Sequence, residues 1–307
     1  MKPTTRRRFL GQSAILGALA ALPPVATRGQ ERGSWFSISL AEWSQHRALL
    51  AGELDHLDFI SGARTIFGID AVEYVNVFFF DRARDTAYLR EMQARCDGEG
   101  VRSLLIMCDR EGRLGDPEAT ARTQAIENHH KWIEAAAFLG CHSIRVNAAS
   151  EGTWEEQSRL AADGLRRLAE FASDHGLNVL VENHGGLSSN GKWLVETIRR
   201  GAHPGLGTLP DFGNFQIADG DWYDFYLGVE ELMPMARAVS AKSYDFGPDG
   251  NELRLDYQRL LRIVGNAQYR GHIGIEYEGQ RLSEPEGIRA TKALLERVRE
   301  ELASEIS

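Results

Sequence analysis

The sequence predicts an α/β fold, a single (β/α)8 TIM barrel, on three observations. From Ser34 onward, eight short apolar segments of β-type composition alternate with segments of helical period. Eight β-then-α units within about 275 residues are what a closed parallel barrel requires. The first apolar segment ends in SLAEW at residues 39–43, without the glycine-rich phosphate turn that usually follows the first strand of an open doubly wound sheet.

The strand candidates are short runs bounded by helical or polar segments. They cover residues 35–43, 71–79, 102–108, 142–147, 178–182, 206–211, 237–242 and 272–278. Between them, apolar residues recur with the i, i+3, i+4, i+7 spacing of helices that pack on a sheet. The clearest examples are Trp132, Ala135, Ala136 and Leu139, followed by Leu165, Leu168, Ala169 and Ala172.

The first 30 residues predict an export signal that is removed from the mature protein. Arg6, Arg7 and Arg8 precede Phe9-Leu10 and an apolar run over 14–22, which small residues follow. This run is shorter than the roughly 20 residues of a membrane-spanning helix. The Arg-Arg-x-Phe-Leu pattern resembles a twin-arginine signal. We therefore expect a cleaved signal at 1–30, a barrel domain at 31–307, no stable membrane insertion after cleavage, and a periplasmic or secreted protein.

Charge and cysteine content exclude several functional classes. The chain carries a formal net charge of −9, and the mature part has 30 basic against 44 acidic side chains, a net charge of −14. Such a surface repels phosphate backbones, so we expect no nucleic-acid partner. It suits a small neutral or cationic ligand, or a divalent metal. The three cysteines have neither the number nor the spacing of a disulfide framework.

Polar side chains cluster at the ends of the last five predicted strands, where a barrel carries its functional groups. Residues two apart on a strand share a face. The inward pairs are then Arg145 with Asn147, Glu182 with His184, Ser240 with Lys242, and Glu276 with Glu278. With Asp211 and Asn214 after the sixth strand, this places three carboxylates and one lysine around a single volume.

Three carboxylates in one cleft cannot all remain ionised without a positive charge among them. An oxygen-rich site of this kind suits Mg²⁺ or Mn²⁺, with water completing the coordination shell. Lys242 could supply part of the compensation instead.

At these residues the chain resembles the sugar phosphate isomerase/epimerase superfamily, the xylose isomerase-like barrels. The resemblance extends from about residue 37 to 302. It is strongest in four segments: VENHGG at 181–186, PDFGN at 210–214, SAKSYDF at 240–246 and GIEYEG at 274–279.

The resemblance implies one divalent metal, Mn²⁺, Mg²⁺ or Co²⁺, bound by Glu182, Asp211 and Glu276. The family's fourth ligand is a histidine, and this sequence has Ser240 at that position. Water, His184 or Asn214 would then complete the shell, or the metal would bind weakly or not at all. The family also often has a histidine where this chain has Asn214.

The resemblance further implies metal-assisted proton abstraction next to the carbonyl of a sugar or keto-sugar, with Glu182 and Glu276 as the acid/base pair. Lys242 would stabilise the developing oxyanion. Arg145, Asn147, His184 and Asn214 would bind sugar hydroxyls. Two alternatives remain open: a lyase or dehydratase that cleaves a 3-keto-glycoside or related sugar, and a non-catalytic sugar-binding barrel. Many barrels of this family form homo-oligomers, although nothing in the sequence requires one.

Overall fold

The computed structural model describes residues 34–306, and the predicted signal at 1–30 lies outside them. Eight parallel strands form one curled sheet surrounded by helices, which confirms the (β/α)8 barrel. The barrel strands are β1 (Ser37–Ala41), β2 (Ala71–Val75), β3 (Arg102–Met107), β4 (Ser143–Asn147), β5 (Asn178–Glu182), β6 (Leu206–Leu209), β9 (Val239–Ser243) and β10 (His272–Tyr277). Their order in the sheet is β6-β5-β4-β3-β2-β1-β10-β9.

Helices follow the strands on the outside of the sheet. They are α1 (His46–Ala51), α2 (His56–Phe67), α3 (Thr86–Glu99), α4 (Ala119–Phe138), α5 (Trp154–Asp174), α6 (Gly191–Gly201), α7 (Phe225–Leu232), α8 (Tyr257–Asn266) and α9 (Glu284–Leu302). The apolar stripes predicted from helical spacing lie in α4 and α5 and are buried. Reciprocal capping boxes begin α5, at Thr153 and Glu156, and α9, at Ser283 and Glu286.

Two details differ from the sequence-based expectation. The strand predicted over 71–79 ends at Val75, because Asn76–Phe78 form a 3-10 helix. A small antiparallel hairpin, β7 (Gln216–Ala218) with β8 (Asp221–Trp222), was not predicted. It lies in the long connection between β6 and α7. Its strands have only three and two residues, which are too few to show the alternation of polar and apolar residues that predicts a strand.

The sheet closes between β6 and β9 through isolated bridges rather than a continuous ladder. Thr208 bridges to Ala236, and Asp211 bridges to Ser240. The Ser240 N–H donates to the Pro210 carbonyl at 2.9 Å, and the Phe212 N–H donates to the Ser240 carbonyl at 3.1 Å. The closing contacts therefore lie next to two residues of the predicted site.

Alternating residues divide the core into two parts. One small cluster fills the barrel interior, and a large cluster packs between the sheet and the helices. The interior cluster consists of Ala41, Val75, Leu105, Met107, Leu180, Leu209 and Ala238. Polar side chains occupy the remaining inward positions and lead to the carboxyl ends of the strands.

Cys96, Cys108 and Cys141 are free and buried. Within residues 34–306, no helix has the length and apolar content to cross a bilayer.

Candidate active site at the carboxyl ends of the strands

A buried serine hydroxyl links two of the predicted carboxylates. Ser240 Oγ lies 2.7 Å from Asp211 Oδ2 and 3.1 Å from Glu276 Oε2. The other oxygen of Asp211, Oδ1, accepts the backbone N–H groups of Gly213 and Asn214 at 2.7 and 2.8 Å. These N–H groups belong to the turn that follows β6, so the local backbone fixes the Asp211 side chain.

Lys242 lies among the carboxylates with only 2% of its surface exposed. Its Nζ is 2.6 Å from Glu276 Oε1, 3.3 Å from Glu278 Oε1 and 3.8 Å from Asp211 Oδ2. Burial lowers the pKa of the ammonium group, but these carboxylates outweigh it and raise the pKa well above its usual value. The lysine therefore stays charged. Trp43 Nε1 donates to Glu278 Oε1 at 2.5 Å, which closes this side of the cluster.

Glu182 has its own cationic neighbour. Arg145 Nε lies 2.7 Å from Glu182 Oε2, although neither atom has the alignment of a hydrogen bond. Asn214 Nδ2 donates to Glu182 Oε1 at 2.9 Å. Arg145 Nη1 also contacts Asp109 Oδ1 at 2.9 Å, and Asn147 Nδ2 donates to the same oxygen at 2.8 Å. The guanidinium group thus holds Glu182 and Asp109 on either side.

The two glutamates have different electrostatic environments. Burial is the largest influence on Glu182 and raises its pKa to about 7, against the opposing charge of Arg145. Burial is also the largest influence on Glu276, but Lys242, Arg145 and the Ser240 hydroxyl together outweigh it and keep the pKa of Glu276 below its usual value. Burial likewise raises the pKa of Asp211. A pair of carboxyl groups with diverging pKa values is the arrangement expected of an acid and a base.

Most of the predicted site residues lie together. Glu182, Asp211, Glu276, Lys242, Ser240, Arg145, Asn147 and Asn214 form one connected group of hydrogen bonds and ion pairs. His184 is exposed beyond the end of β5, where its backbone N–H is bound by Ser188 Oγ. The buried Oδ1 of Asn147 has no hydrogen-bond partner in the structure.

Two carboxylates of the site were missed by the sequence analysis. Asp109 follows β3 by two residues, so the same alternation that selected Glu182 points to it. Glu73 lies within β2, below the strand ends, and is 1% exposed. A glutamate in the apolar segment AVEYV is itself a signal, since a buried carboxyl group is costly without a partner.

A cavity of about 290 Å³ adjoins the carboxylate cluster. A Cβ placed on Gly213 would lie 2.8 Å from Lys242 Cγ, so this glycine separates the cavity from the lysine stem. Trp222, carried by the β7–β8 hairpin, is 52% exposed at the cavity. The cavity is lined by Gly213, Trp222, Phe225, Tyr244, Arg254 and Leu255.

The donor set does not fit a divalent metal. Within residues 34–306, no group of three or more His, Cys, Asp and Glu side chains is arranged to hold one. All six carboxylate oxygens of Glu182, Asp211 and Glu276 already contact a protein donor. Metal-binding carboxylates instead direct oxygen lone pairs at a common point.

The family model described as xylose isomerase-like TIM barrel matches residues 63–298. No curated protein sequence matches the chain. Similar solved structures include a xylose isomerase-like TIM barrel protein from Mycobacterium smegmatis in complex with magnesium, at 16% identity over 89% of this chain and 98% of that one, with a TM-score of 0.64.

Two further solved structures are named as epimerases. A 3-keto-D-glucoside 4-epimerase from E. coli is 15% identical over 86% of this chain and 99% of its own, with a TM-score of 0.66. An L-ribulose 3-epimerase is 13% identical over 88% of this chain and 96% of its own, with a TM-score of 0.69. At these identities the likeness establishes a shared fold.

Proposed function

Because the chain belongs to the xylose isomerase-like TIM barrel family, we propose that it is a sugar isomerase or epimerase that transfers a proton next to the carbonyl of a sugar or keto-sugar. One observation carries this proposal. Glu182 and Glu276, at the ends of β5 and β10, are buried in one polar cluster, and each contacts its own cation, Arg145 or Lys242.

In the proposed reaction Glu276 is the base, since Lys242 keeps its carboxylate ionised. It removes the proton from the carbon next to the carbonyl. The electron pair of that C–H bond forms the C=C bond of an enediolate, and the carbonyl oxygen gains the negative charge. The Lys242 ammonium group stabilises this oxyanion.

Glu182 then acts as the acid, since burial favours its protonated form. Proton return to the same carbon with the opposite configuration gives an epimer, and return to the neighbouring carbon gives an isomer. Arg145 and Asn214 contact Glu182 directly, so we assign them to its orientation. The free Oδ1 of Asn147 and the exposed ring of His184 remain for sugar hydroxyls.

The reaction can be tested by incubating a panel of keto-sugars with the protein in D₂O and following deuterium incorporation by NMR. We expect exchange at the carbon next to the carbonyl in the parent and at least about 100-fold less in Glu276→Gln, the range that general-base catalysis contributes. Glu296→Gln, a glutamate of α9 outside the site, is the matched control and keeps parental exchange. Exchange that is undiminished in Glu276→Gln contradicts the assignment.

The cavity beside Lys242 supports a second candidate, a lyase. An enediolate next to a leaving group expels it, and the cavity lined by Trp222, Phe225 and Tyr244 has room for the departing part of a glycoside. Mass spectrometry of the products separates the two reactions: an isomer keeps the substrate mass, whereas a lyase gives two fragments. Binding of these sugars with no exchange and no fragments would indicate a non-catalytic binding barrel.

We also propose that residues 1–30 direct export through the twin-arginine route, on the strength of Arg6-Arg7 before Phe9-Leu10. Changing Arg6 and Arg7 together to Lys should retain the protein in the cytoplasm, as measured by cell fractionation. Unchanged export of this double variant contradicts the proposed route.

A further inference from the structure

We propose that this site needs no divalent metal and that the Lys242 ammonium group takes the place of the metal charge. The contacts of the carboxylates support the first part of the proposal. The role of Lys242 toward an oxyanion rests additionally on the proposed function.

Ser240 stands at the position where the family resemblance implies a histidine ligand. Ser240 is fully buried, and its hydroxyl bridges Asp211 Oδ2 and Glu276 Oε2 at 2.7 and 3.1 Å. The single proton of this hydroxyl is shared between the two carboxyl oxygens. Ser240 therefore contacts the carboxyl oxygens that a metal would need, and a neutral hydroxyl is a weaker metal ligand than an imidazole.

Lys242 already supplies a buried positive charge to the carboxylate cluster. Lys242 Nζ lies within 4 Å of Glu276, Glu278 and Asp211, at 2.6, 3.3 and 3.8 Å. The contact with Glu276 is a hydrogen bond, and the other two are ion pairs. A divalent ion placed among the same carboxylates would meet this buried positive charge at short range, where repulsion is weakly screened.

Neighbouring residues hold Lys242 firmly in place. Tyr257 Oη lies 2.8 Å from the Lys242 carbonyl oxygen and 3.1 Å from that of Ala241, so its single proton is shared between them and holds the end of β9. Gly213 leaves the space beside the lysine stem that any larger residue would fill. The lysine is therefore a built part of the site rather than a mobile side chain that a metal could displace.

The proposal is tested on the mature protein, without any substrate. After treatment with a chelator and dialysis, Mn²⁺ is titrated and free Mn²⁺ is followed by electron paramagnetic resonance. We expect fewer than about 0.1 Mn²⁺ bound per chain at micromolar concentrations, and no change of Tm with Mn²⁺ or chelator. Binding of about one Mn²⁺ per chain that Asp211→Asn abolishes overturns the proposal.

Two variants test the assigned roles of Ser240 and Lys242. Ser240→His restores an imidazole ligand, and Lys242→Met removes the competing charge; we expect each to gain Mn²⁺ binding of up to about one ion per chain. Lys292→Met, which removes an ammonium group paired with Glu296 on α9, is the control and gains none. Two folded variants that bind no more Mn²⁺ than the parent overturn the assignment to Lys242.

If both variants fail to fold, the titration of the parent still decides whether the site holds a metal. Its outcome is also separate from that of the D₂O experiment. Loss of the proposed reaction leaves the Mn²⁺ result intact, and stoichiometric Mn²⁺ binding leaves proton exchange possible.

Discussion

The hydroxyl of Ser39 donates a 2.6 Å hydrogen bond to Oε1 of Glu73 inside the barrel. The other oxygen, Oε2, is buried without a hydrogen-bond partner. Gly274 lies on β10, two residues before Glu276. A Cβ on Gly274 would lie 2.6 Å from both carboxyl oxygens of Glu73, so glycine at this position leaves the space that the Glu73 side chain occupies. Burial raises the pKa of Glu73 to about 7.

Glu73→Gln is expected to change the pH dependence of stability. The folded pKa of about 7 lies above the usual 4.5, so the stability associated with protonated Glu73 is complete below pH 4.5 and is lost as pH rises through 7. The variant lacks this loss, and above pH 7 we expect it to exceed the parent in unfolding free energy by up to about 3 kcal/mol. Urea unfolding of both proteins at several pH values measures the difference, and a constant difference contradicts the prediction.

Asn214→Ala should weaken the proposed acid. The variant removes the donor that lies 2.9 Å from Glu182 Oε1, so the pKa of Glu182 should rise further. We expect kcat to fall about 10-fold, and the alkaline limb of the kcat/KM profile to move to higher pH. A fall in kcat with an unmoved profile would indicate a purely structural role for Asn214.

Trp222→Ala tests the cavity as a binding site for the non-reacting part of the substrate. Trp222 is half-exposed and stands 5.8 Å from Phe225 between ring centroids, so its removal should leave the barrel intact. We expect KM to rise about 5-fold with kcat nearly unchanged, the pattern of an interaction that is equal in ground and transition states. Steady-state kinetics with a glycoside and with a single-ring sugar check it, since only the glycoside should respond.

Gly213→Ala should displace Lys242. Its new Cβ would lie 2.8 Å from both Lys242 Cγ and Tyr244 Oη, closer than side chains normally approach. We expect the unfolding free energy to fall by about 1–3 kcal/mol. We also expect the activity to fall by more than the loss of folded protein accounts for.

Gly98→Ala is the matched control for that substitution, because a Cβ there meets nothing within 4 Å and the residue lies inside α3. It should be neutral or stabilise the protein by up to about 1 kcal/mol. Equal effects of the two substitutions on activity would contradict the role given to Gly213.

The sequence was sufficient for the barrel and for most of the residues that meet at its mouth. Alternation along a strand decides which side chains point inward, so Glu182, Lys242 and Glu276 could be placed without coordinates. It does not decide which donor each carboxylate oxygen meets. The contact between Ser240 and both Asp211 and Glu276 depends on the relative register of β6, β9 and β10, which are far apart in the chain. Glu73 was missed because only strand ends were considered.

The bridge between Asp211 and Ser240 has a consequence for how this protein tolerates change. Pro210 has no N–H that could extend the hydrogen-bond ladder, so the closure of the barrel between β6 and β9 depends on a few hydrogen bonds. These bonds lie next to the proposed site residues. Substituting either residue disturbs closure and reactivity together. Evolution of a new reaction at this closing point would therefore be coupled to the stability of the barrel. Trp222 and the β7–β8 hairpin lie outside the barrel strands, so their substitution should affect its stability less.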